Sequence, residues 1–447
     1  MAEALARNAQ RFPDKLAVVD ERRQLTHRDF HLRSNRLGNY LRRQGVAKGD
    51  RVALSCGNRA EHLEAIFALA KVGAIAVPFD YGWSAAEYEA MFRFFEPGAF
   101  LIEDRPETQG AWDLALARLA PERVIAIGAD APAKAQPYEE AIAVSTSEDP
   151  PVTLDGKDPF IVMITSGTTG FPKGCVIDHE TYALRSLNNA ISKGLNDRER
   201  GLLTLPLHFN AGRGSAMSLL YLGATLFLFD RFNEDAFVET LERERITYTI
   251  LVPALCQRLL RHPKLASIDK SFLSYVGITG GHLTAQLARD IMAKLSPYVY
   301  EAYASTDCGQ ITILKPEDRA AYGDTVGQTI WAVLVKILDD DCREVPSGEA
   351  GEICLRSPMA IQGYYRNPEA TKEFFRGGWC HTGDIGFLDS QGYMHVTGRK
   401  KNMIKSGGIS IFPEEIEEVL SACPGVADVA VVSCRDPEWG ESGKALV

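Results

Sequence analysis

The chain is 447 residues long, 45% hydrophobic and 24% charged, with a formal net charge of −10. This is ordinary globular composition with length for two or more domains, and the acidic balance, without a long Lys/Arg run, argues against a nucleic-acid partner. The longest apolar stretch, SAMSLLYLGATLFLF, is broken by Gly223 and is too short to span a bilayer.

The N-terminus, MAEALARNAQRFPDK, is polar and amphipathic with no apolar signal core, which points to the cytoplasm. Apolar β-type runs then punctuate the first 300 residues, among them RVALSC, AIAVPFD, AFLIED, FIVMITS, ATLFLF and YTILVP. Helical patterns lie between them. HLRSNRLGNYLRRQG is one; RAEHLEAIFALAKVG is another, with Leu63, Ile66, Phe67 and Leu69 close to a helix period and Gly73 at its end. Strands alternating with helices indicate α/β layers with a largely parallel sheet. Around 325–397 the texture changes to strands joined by Asp/Gly/Pro turns, a small β-rich subdomain. FPEEIEEVLSACPG reads as a short helix with a proline start and an acidic first turn, VADVAVVSC as a strand, and the chain stops at GESGKALV inside another strand. The cysteines (Cys56, Cys175, Cys256, Cys308, Cys342, Cys354, Cys380, Cys423 and Cys434) are odd in number and form no CxxC pair, so they read as scattered reduced thiols rather than a disulfide framework or a zinc ribbon.

The stretch MITSGTTGFPKG, 163–174, follows a buried-type strand. Gly167, Gly170 and Gly174 would let the backbone approach a ligand, Ser166, Thr168 and Thr169 offer hydroxyls, and Lys173 adds a positive charge. Such a loop suits a cluster of anionic oxygens. It is not a Walker loop, because Gly174 follows Lys173 where Ser or Thr is required, and that counts against a P-loop kinase. Taken alone, the stretch is also compatible with a surface turn.

SGTTGFPKG closely resembles the phosphate loop of the adenylate-forming, or AMP-binding, enzymes: acyl-CoA synthetases, peptide-synthetase adenylation domains and luciferases. Three later segments resemble that family's signatures in the family's order: YASTD (303–307), HTGDIG (381–386) and GRKKNMIKSGGISIFPEEIE (398–417). The resemblance covers nearly the whole chain. It implies a large multi-layer α/β N-terminal domain with mostly parallel sheets over 1–399, including the β-rich subdomain, then the start of a small mobile α+β C-terminal domain over 400–447. It further implies ATP-dependent activation of a small-molecule carboxylic acid to acyl-AMP and transfer to CoA. The cofactors it implies are ATP, Mg2+ and CoA as co-substrate.

What the resemblance implies for single residues is as follows. Ser166, Gly167, Thr168, Thr169, Gly170 and Lys173 would hold the β- and γ-phosphates. Gly280, Gly281 and His282 would lie beside adenine and the acyl-pocket wall, and Tyr303 against the adenine face, with a core tyrosine as the plain alternative. Thr306 would bond the α-phosphate. Asp307 would hold Mg2+ in place of the family's glutamate, a departure that shortens the arm, and Ala304 replaces the usual glycine. Asp384 would accept from the ribose hydroxyls, and Arg399 would reach ribose or phosphate oxygens. His208 matches the family's gate at the acyl pocket, with a structural role equally open. Arg213, nearby, would meet a second anionic group on the substrate or a surface carboxylate, the surface reading being preferred. HFNAG carries no acidic residue to hold an α-amino group, which disfavours amino-acid substrates. Cys308 reads as a packed thiol. Lys401 aligns with the hinge, and Lys405, Gly407 and Gly408 with the loop of the CoA half-reaction; a solvated basic linker is the plainer reading of GRKKNMIK, which would also suit as a landing place for the phosphates of CoA.

In the family a lysine near the C-terminus contacts the α-phosphate. Only 46 residues follow Lys401 here, and Lys444 belongs to an earlier strand region, so the C-terminal domain is expected to be incomplete and adenylation weak. Acyl transfer to a carrier-protein pantetheine and a non-catalytic acyl-nucleotide-binding fragment are the rival readings. The acid itself, aryl, medium or long, is not legible, and a homodimer is allowed.

Overall fold

The computed structural model describes residues 1–128, 132–165, 172–281, 283–406, 409–421, 423, 425–426, 428–436 and 440–447, without the side chains of 405, 409, 410, 418 and 440. It forms two compact units, Met1–Tyr300 with Met359–Pro368, and Glu301–Pro358 with Glu369–Val447. The boundary expected at 399/400 therefore does not coincide with the units. After strand Met394–Arg399, Lys400 N donates to Gly383 O at 2.9 Å and Asn402 Nδ2 to Glu414 Oε1 at 3.1 Å.

The first unit holds two large sheets. One has the order Val299–Glu301, Tyr275–Ile278, Tyr248–Leu251, Arg200–Leu203, Thr225–Leu228, Leu16–Val19, Gln24–Thr26, with parallel pairing from Tyr275–Ile278 through Leu16–Val19 and an antiparallel edge. The other runs Gly363–Tyr364, Lys173–Asp178, Pro159–Thr165, Ile75–Pro78, Arg51–Ser55, Ala99–Glu103, Val124–Ile127, Gln136–Pro137, antiparallel only in its first two pairings. Strands such as Ala99–Glu103, Val124–Ile127 and Tyr248–Leu251 are buried at every residue, as parallel strands covered on both faces must be.

Helix Ala60–Val72 shows how far the layers enclose the chain. Its apolar period suggests one buried face, yet all its residues are buried, including Glu61, His62, Glu64 and Lys71. A buried carboxylate is tolerated when it is paired and hydrogen-bonded. Glu61 meets Arg59 and Arg23, each at 2.8 Å, and Glu64 meets Arg33 at 2.5 Å and the Tyr138 hydroxyl at 2.7 Å. The helix ends where expected, at Gly73 with φ 72°, the left-handed cap that glycine adopts without strain.

The second unit is mainly antiparallel. Leu334–Leu338, Gly351–Arg356, Cys380–Leu388 and Met394–Arg399 form one four-stranded sheet in that order, which accounts for the β-rich texture of 325–397. A second sheet has the order Ile409–Ile411, Ile404–Ser406, Gly440–Leu446, Ala430–Asp436 and carries helix Pro413–Ser421. The strand expected in VADVAVVSC begins at Ala430, and GESGKALV is a strand as read. Among the described residues no helix is long and apolar enough to cross a membrane.

Five histidines of the first unit are held neutral. Burial pushes His27, His31, His179 and His208 down to about 4, and His62 to about 3, from 6.5. An unfolded chain takes up these protons as pH falls through about 6.5, whereas the folded chain resists until about 4, so the unfolded state binds more protons across that window. Stability is therefore expected to be full above pH 7 and to fall by several kcal/mol between pH 6.5 and 5. Denaturant unfolding at pH 7.5 and 5 reads this directly; equal midpoints would show that the histidines are not buried neutral.

Candidate active site

In the first unit the hairpin of Pro159–Thr165 and Lys173–Asp178 pairs Thr165 with Lys173. Ser166, Gly167, Thr168, Thr169 and Gly170, between them, lie outside the described residues, as does His282. Lys173 opens the second strand, and its ammonium sits 4.7 Å above the ring of Tyr364. Gly174 is closed in by its neighbours: a Cβ there would lie 2.8 Å from Val162 Cγ1 and 3.1 Å from both Phe95 Cε1 and Tyr365 Cβ. Packing against the neighbouring strands explains this glycine. Gly280, with φ 74°, and Gly281 form the turn after strand Tyr275–Ile278, as the sequence suggests.

His208 lies in the segment between strand Arg200–Leu203 and helix Asn210–Leu222. Asn58 clamps that segment, donating from Nδ2 to Leu205 O at 3.0 Å and accepting from Leu207 N at 2.8 Å. The imidazole is packed edge-to-face with Tyr81 at 5.1 Å, and Nε2 is 3.6 Å from Asp80 Oδ1. That is too long for a hydrogen bond, and the ring is neutral near pH 7. Asp80, Tyr81 and Asn58 are absent from the sequence reading; the only signal was a polar pair at the end of the AVPFD run.

The preferred surface reading of Arg213 is overturned. Arg213 is 1% exposed, and its Nη1 donates to Leu207 O at 2.8 Å and His208 O at 2.9 Å. Burial lowers its pKa, and its nearness to Tyr182 works against that shift. A guanidinium one turn into the helix thus holds the segment that presents His208.

In the second unit the Thr-Gly-Asp segment lies on strand Cys380–Leu388, and Asp384 stands opposite Arg399 on Met394–Arg399. Asp384 Oδ1 is 2.7 Å from Arg399 Nε, and Oδ2 accepts from the Tyr303 hydroxyl at 2.5 Å. Two of the carboxylate's roughly four lone-pair directions are used this way, which leaves acceptor capacity for a diol. Burial raises the pKa of Asp384, although Tyr303 and Arg399 oppose it. Tyr303 packs against the cluster of Ile337, Ile353 and Met394, and burial, then the Asp384 charge, pushes its phenol well up. Its ring is fixed by this bond to Asp384, a constraint that the sequence did not disclose. Thr382 Oγ1 donates to Ile353 O at 2.7 Å and accepts from Asp384 N at 3.1 Å, setting the segment's path.

Thr306 and Asp307 occupy the turn of the hairpin Ala304–Ser305/Gly309–Gln310, where Ser305 Oγ accepts from Cys308 N at 3.0 Å. Cys308 is buried, in keeping with a packed thiol. Lys401 is exposed in the turn after Met394–Arg399; Gly407, Gly408 and the Lys405 side chain lie outside the described residues. Glu352, not noticed in the sequence, lies beneath Thr-Gly-Asp: Oε1 accepts from Gly383 N at 3.2 Å and Oε2 from Lys400 Nζ at 3.0 Å.

The AMP-binding enzyme family model matches residues 5–365, and the AMP-binding enzyme C-terminal domain model matches 415–447. A feruloyl-CoA synthase from Amycolatopsis sp. is 34% identical over 445 residues, covering 99% of this chain and 87% of the relative. An indoleacetate–CoA ligase from Aromatoleum aromaticum is 32% identical over 452 residues, covering 100% and 88%. The solved structure of ATP-bound MatB from Rhodopseudomonas palustris superposes with a TM-score of 0.89 at 26% identity, covering 99% of this chain and 88% of that one. The chain belongs to the AMP-binding enzyme family.

Replacing Arg213 with alanine leaves two carbonyl oxygens without their donor and opens a cavity at a fully enclosed site. Arg213→Ala is expected to lower stability by about 2–4 kcal/mol. Thermal unfolding checks it; a melting point within a degree of wild type would return Arg213 to the surface reading.

Proposed function

We propose that this chain is an AMP-forming carboxylate–CoA ligase acting in the cytoplasm. A carboxylate oxygen of the acid attacks the α-phosphorus of ATP, pyrophosphate leaves, and an acyl adenylate forms. The thiol of CoA then attacks the acyl carbon and AMP leaves, the thiol proton passing to solvent. The observation that carries this reading is the Asp384 carboxylate, buried on the Thr-Gly-Asp strand and held by Tyr303 and Arg399 with acceptor capacity to spare.

The residues divide the work by chemistry. Lys173, with Ser166, Thr168 and Thr169 and the amides of Gly167 and Gly170, neutralises and orients phosphate oxygens. Asp384 accepts from the ribose hydroxyls, and Arg399 supplies charge beside them. Gly280, Gly281 and His282 line the adenine, and Thr306 donates to the α-phosphate. Positioning and charge neutralisation of this kind account for most of phosphoryl-type transfer. Asp307 fits Mg2+: it is a half-buried carboxylate, a hard oxygen donor, at the tip of a tight hairpin. When bound, the ion offsets negative charge on the phosphate oxygens. His208, presented by Arg213, forms part of the acyl-pocket wall as a neutral ring. Lys401 is the hinge, and Lys405, Gly407 and Gly408 serve the thioester step. Among the relatives, feruloyl-CoA synthase and indoleacetate–CoA ligase point to an aryl acid and the long-chain-fatty-acid–CoA ligase FadD13 to a fatty acid, so both classes are candidates.

Two outcomes follow. Thermal-shift titration with ATP·Mg2+ and with non-hydrolysable acyl-adenylate mimics should raise the melting point, since a ligand at a hundred times its Kd stabilises by about 2.7 kcal/mol, and the acyl group that gives the largest shift identifies the acid class. No shift from any of them would sink the reading; a shift followed by transfer to a carrier protein but not to CoA would replace the acceptor. Asp384→Asn should weaken the mimic about tenfold to a hundredfold in calorimetry, because a hydrogen bond to a charged acceptor is worth about 1.5–3 kcal/mol. In the wild type, binding should strengthen as pH rises through the raised pKa of Asp384.

A further inference from the structure

Beneath the Thr-Gly-Asp segment the second unit gathers Glu352, Cys354 and His381, whose ligand atoms all lie within 4.8 Å of one another. Glu352 and Cys354 are two apart on strand Gly351–Arg356 and so share a face, and Cys354 stands opposite His381 on the neighbouring strand. His381 Nδ1 is 3.2 Å from Glu352 Oε2 and 3.3 Å from Cys354 Sγ. Its other nitrogen, Nε2, is 3.1 Å from Arg376 O. A proton on Nε2 given to that carbonyl leaves the Nδ1 lone pair directed at the carboxylate and the sulfur. Metal-ligating histidines are oriented in this way, with the outer N–H tied to a carbonyl.

We propose that Glu352, Cys354 and His381 form a binding site for a thiophilic divalent cation of the Zn2+ class. Tetrahedral zinc with bonds of about 2.0–2.3 Å holds its ligands about 3.3–3.8 Å apart, close to the 3.2 and 3.3 Å from His381 Nδ1 to Glu352 and Cys354. A sulfur and an imidazole select a soft or borderline metal over Mg2+ or Ca2+. The site is enclosed: the Glu352 and His381 side chains are 7% and 6% exposed, and Cys354 is fully buried. Cys342 is not in the set, because its sulfur is 3.9 Å from Nε2, on the far edge of the ring. Water completes the coordination.

Binding exchanges one cation for another. The metal–sulfur bond forms as the Cys354 S–H bond breaks, and the proton goes to solvent. Lys400 Nζ leaves Glu352 Oε2, its partner at 3.0 Å, and keeps Asp340 Oδ1 at 2.7 Å. The Glu352 carboxylate, already ion-paired with Lys400, supplies the second negative charge. Two anionic ligands then neutralise the dication.

The test is titration of the full chain with Co2+, read by the thiolate-to-cobalt charge-transfer band, then displacement by Zn2+. Wild type should show the band, and Cys354→Ala and His381→Gln should each abolish it while keeping the far-ultraviolet circular dichroism of the wild type. Lys400→Met removes the competing ammonium and should tighten Co2+ binding about tenfold, a gain that damage to the fold cannot imitate. A wild type without the band, a band that survives Cys354→Ala, or a Lys400→Met variant that binds no tighter overturns the proposal.

Discussion

The register of one strand, Cys380–Leu388, organises the second unit. Against Gly351–Arg356 it pairs Glu352 with Ile385 but Cys354 with His381, so the strand carries extra residues at Thr382–Gly383–Asp384. Gly383 has φ 73°, which a β-branched residue could not adopt cheaply. Against Met394–Arg399, the same strand places Asp384 opposite Arg399. Because side chains alternate along a strand, a slip of one residue would turn Asp384 away from Arg399 and His381 away from Cys354 together. The Asp384–Arg399 pair and the cluster beneath it are thus two consequences of one bulge.

The first unit meets a different constraint. Two mostly parallel sheets covered by helices leave little surface to hydrate charges, so every buried ionisable group must be paired or neutral. Carboxylates take the first route: Glu103 accepts from Arg59 at 3.0 Å, Arg105 at 3.2 Å and Gly57 N at 2.9 Å. The histidines take the second. Arg213 takes a third, spending its guanidinium on backbone carbonyls. These contacts tie down the backbone around His208: Arg213 donates to the carbonyls of Leu207 and His208, and Asn58 bonds Leu205 O and Leu207 N.

Inherited chemistry and local packing also divide the glycines. Gly73 caps a helix and Gly280 makes a turn, both through positive φ, whereas Gly174 is small because three side chains crowd its position. Composition alone treats the three alike. Only neighbours in space separate a glycine that bends the chain from one that makes room.

By itself the sequence determined what depends on neighbours along the chain: alternating strands and helices, the cap at Gly73, the helix from Pro413, and the ordered segments SGTTGFPKG, YASTD, HTGDIG and GRKKNMIK that carry the family resemblance. Asp384 and Arg399 were each legible as candidates because each sits inside such a segment, whereas their pairing across two strands was not. Tertiary structure alone decided the burial of helix Ala60–Val72 on all sides, the inward turn of Arg213, the Tyr303–Asp384 bond, the division of the chain at 300/301, and the meeting of Glu352, Cys354 and His381. These features depend on which strand lies beside which, and on a bulge that resets the pairing. Strand pairing joins residues far apart in sequence, and no local pattern encodes its register.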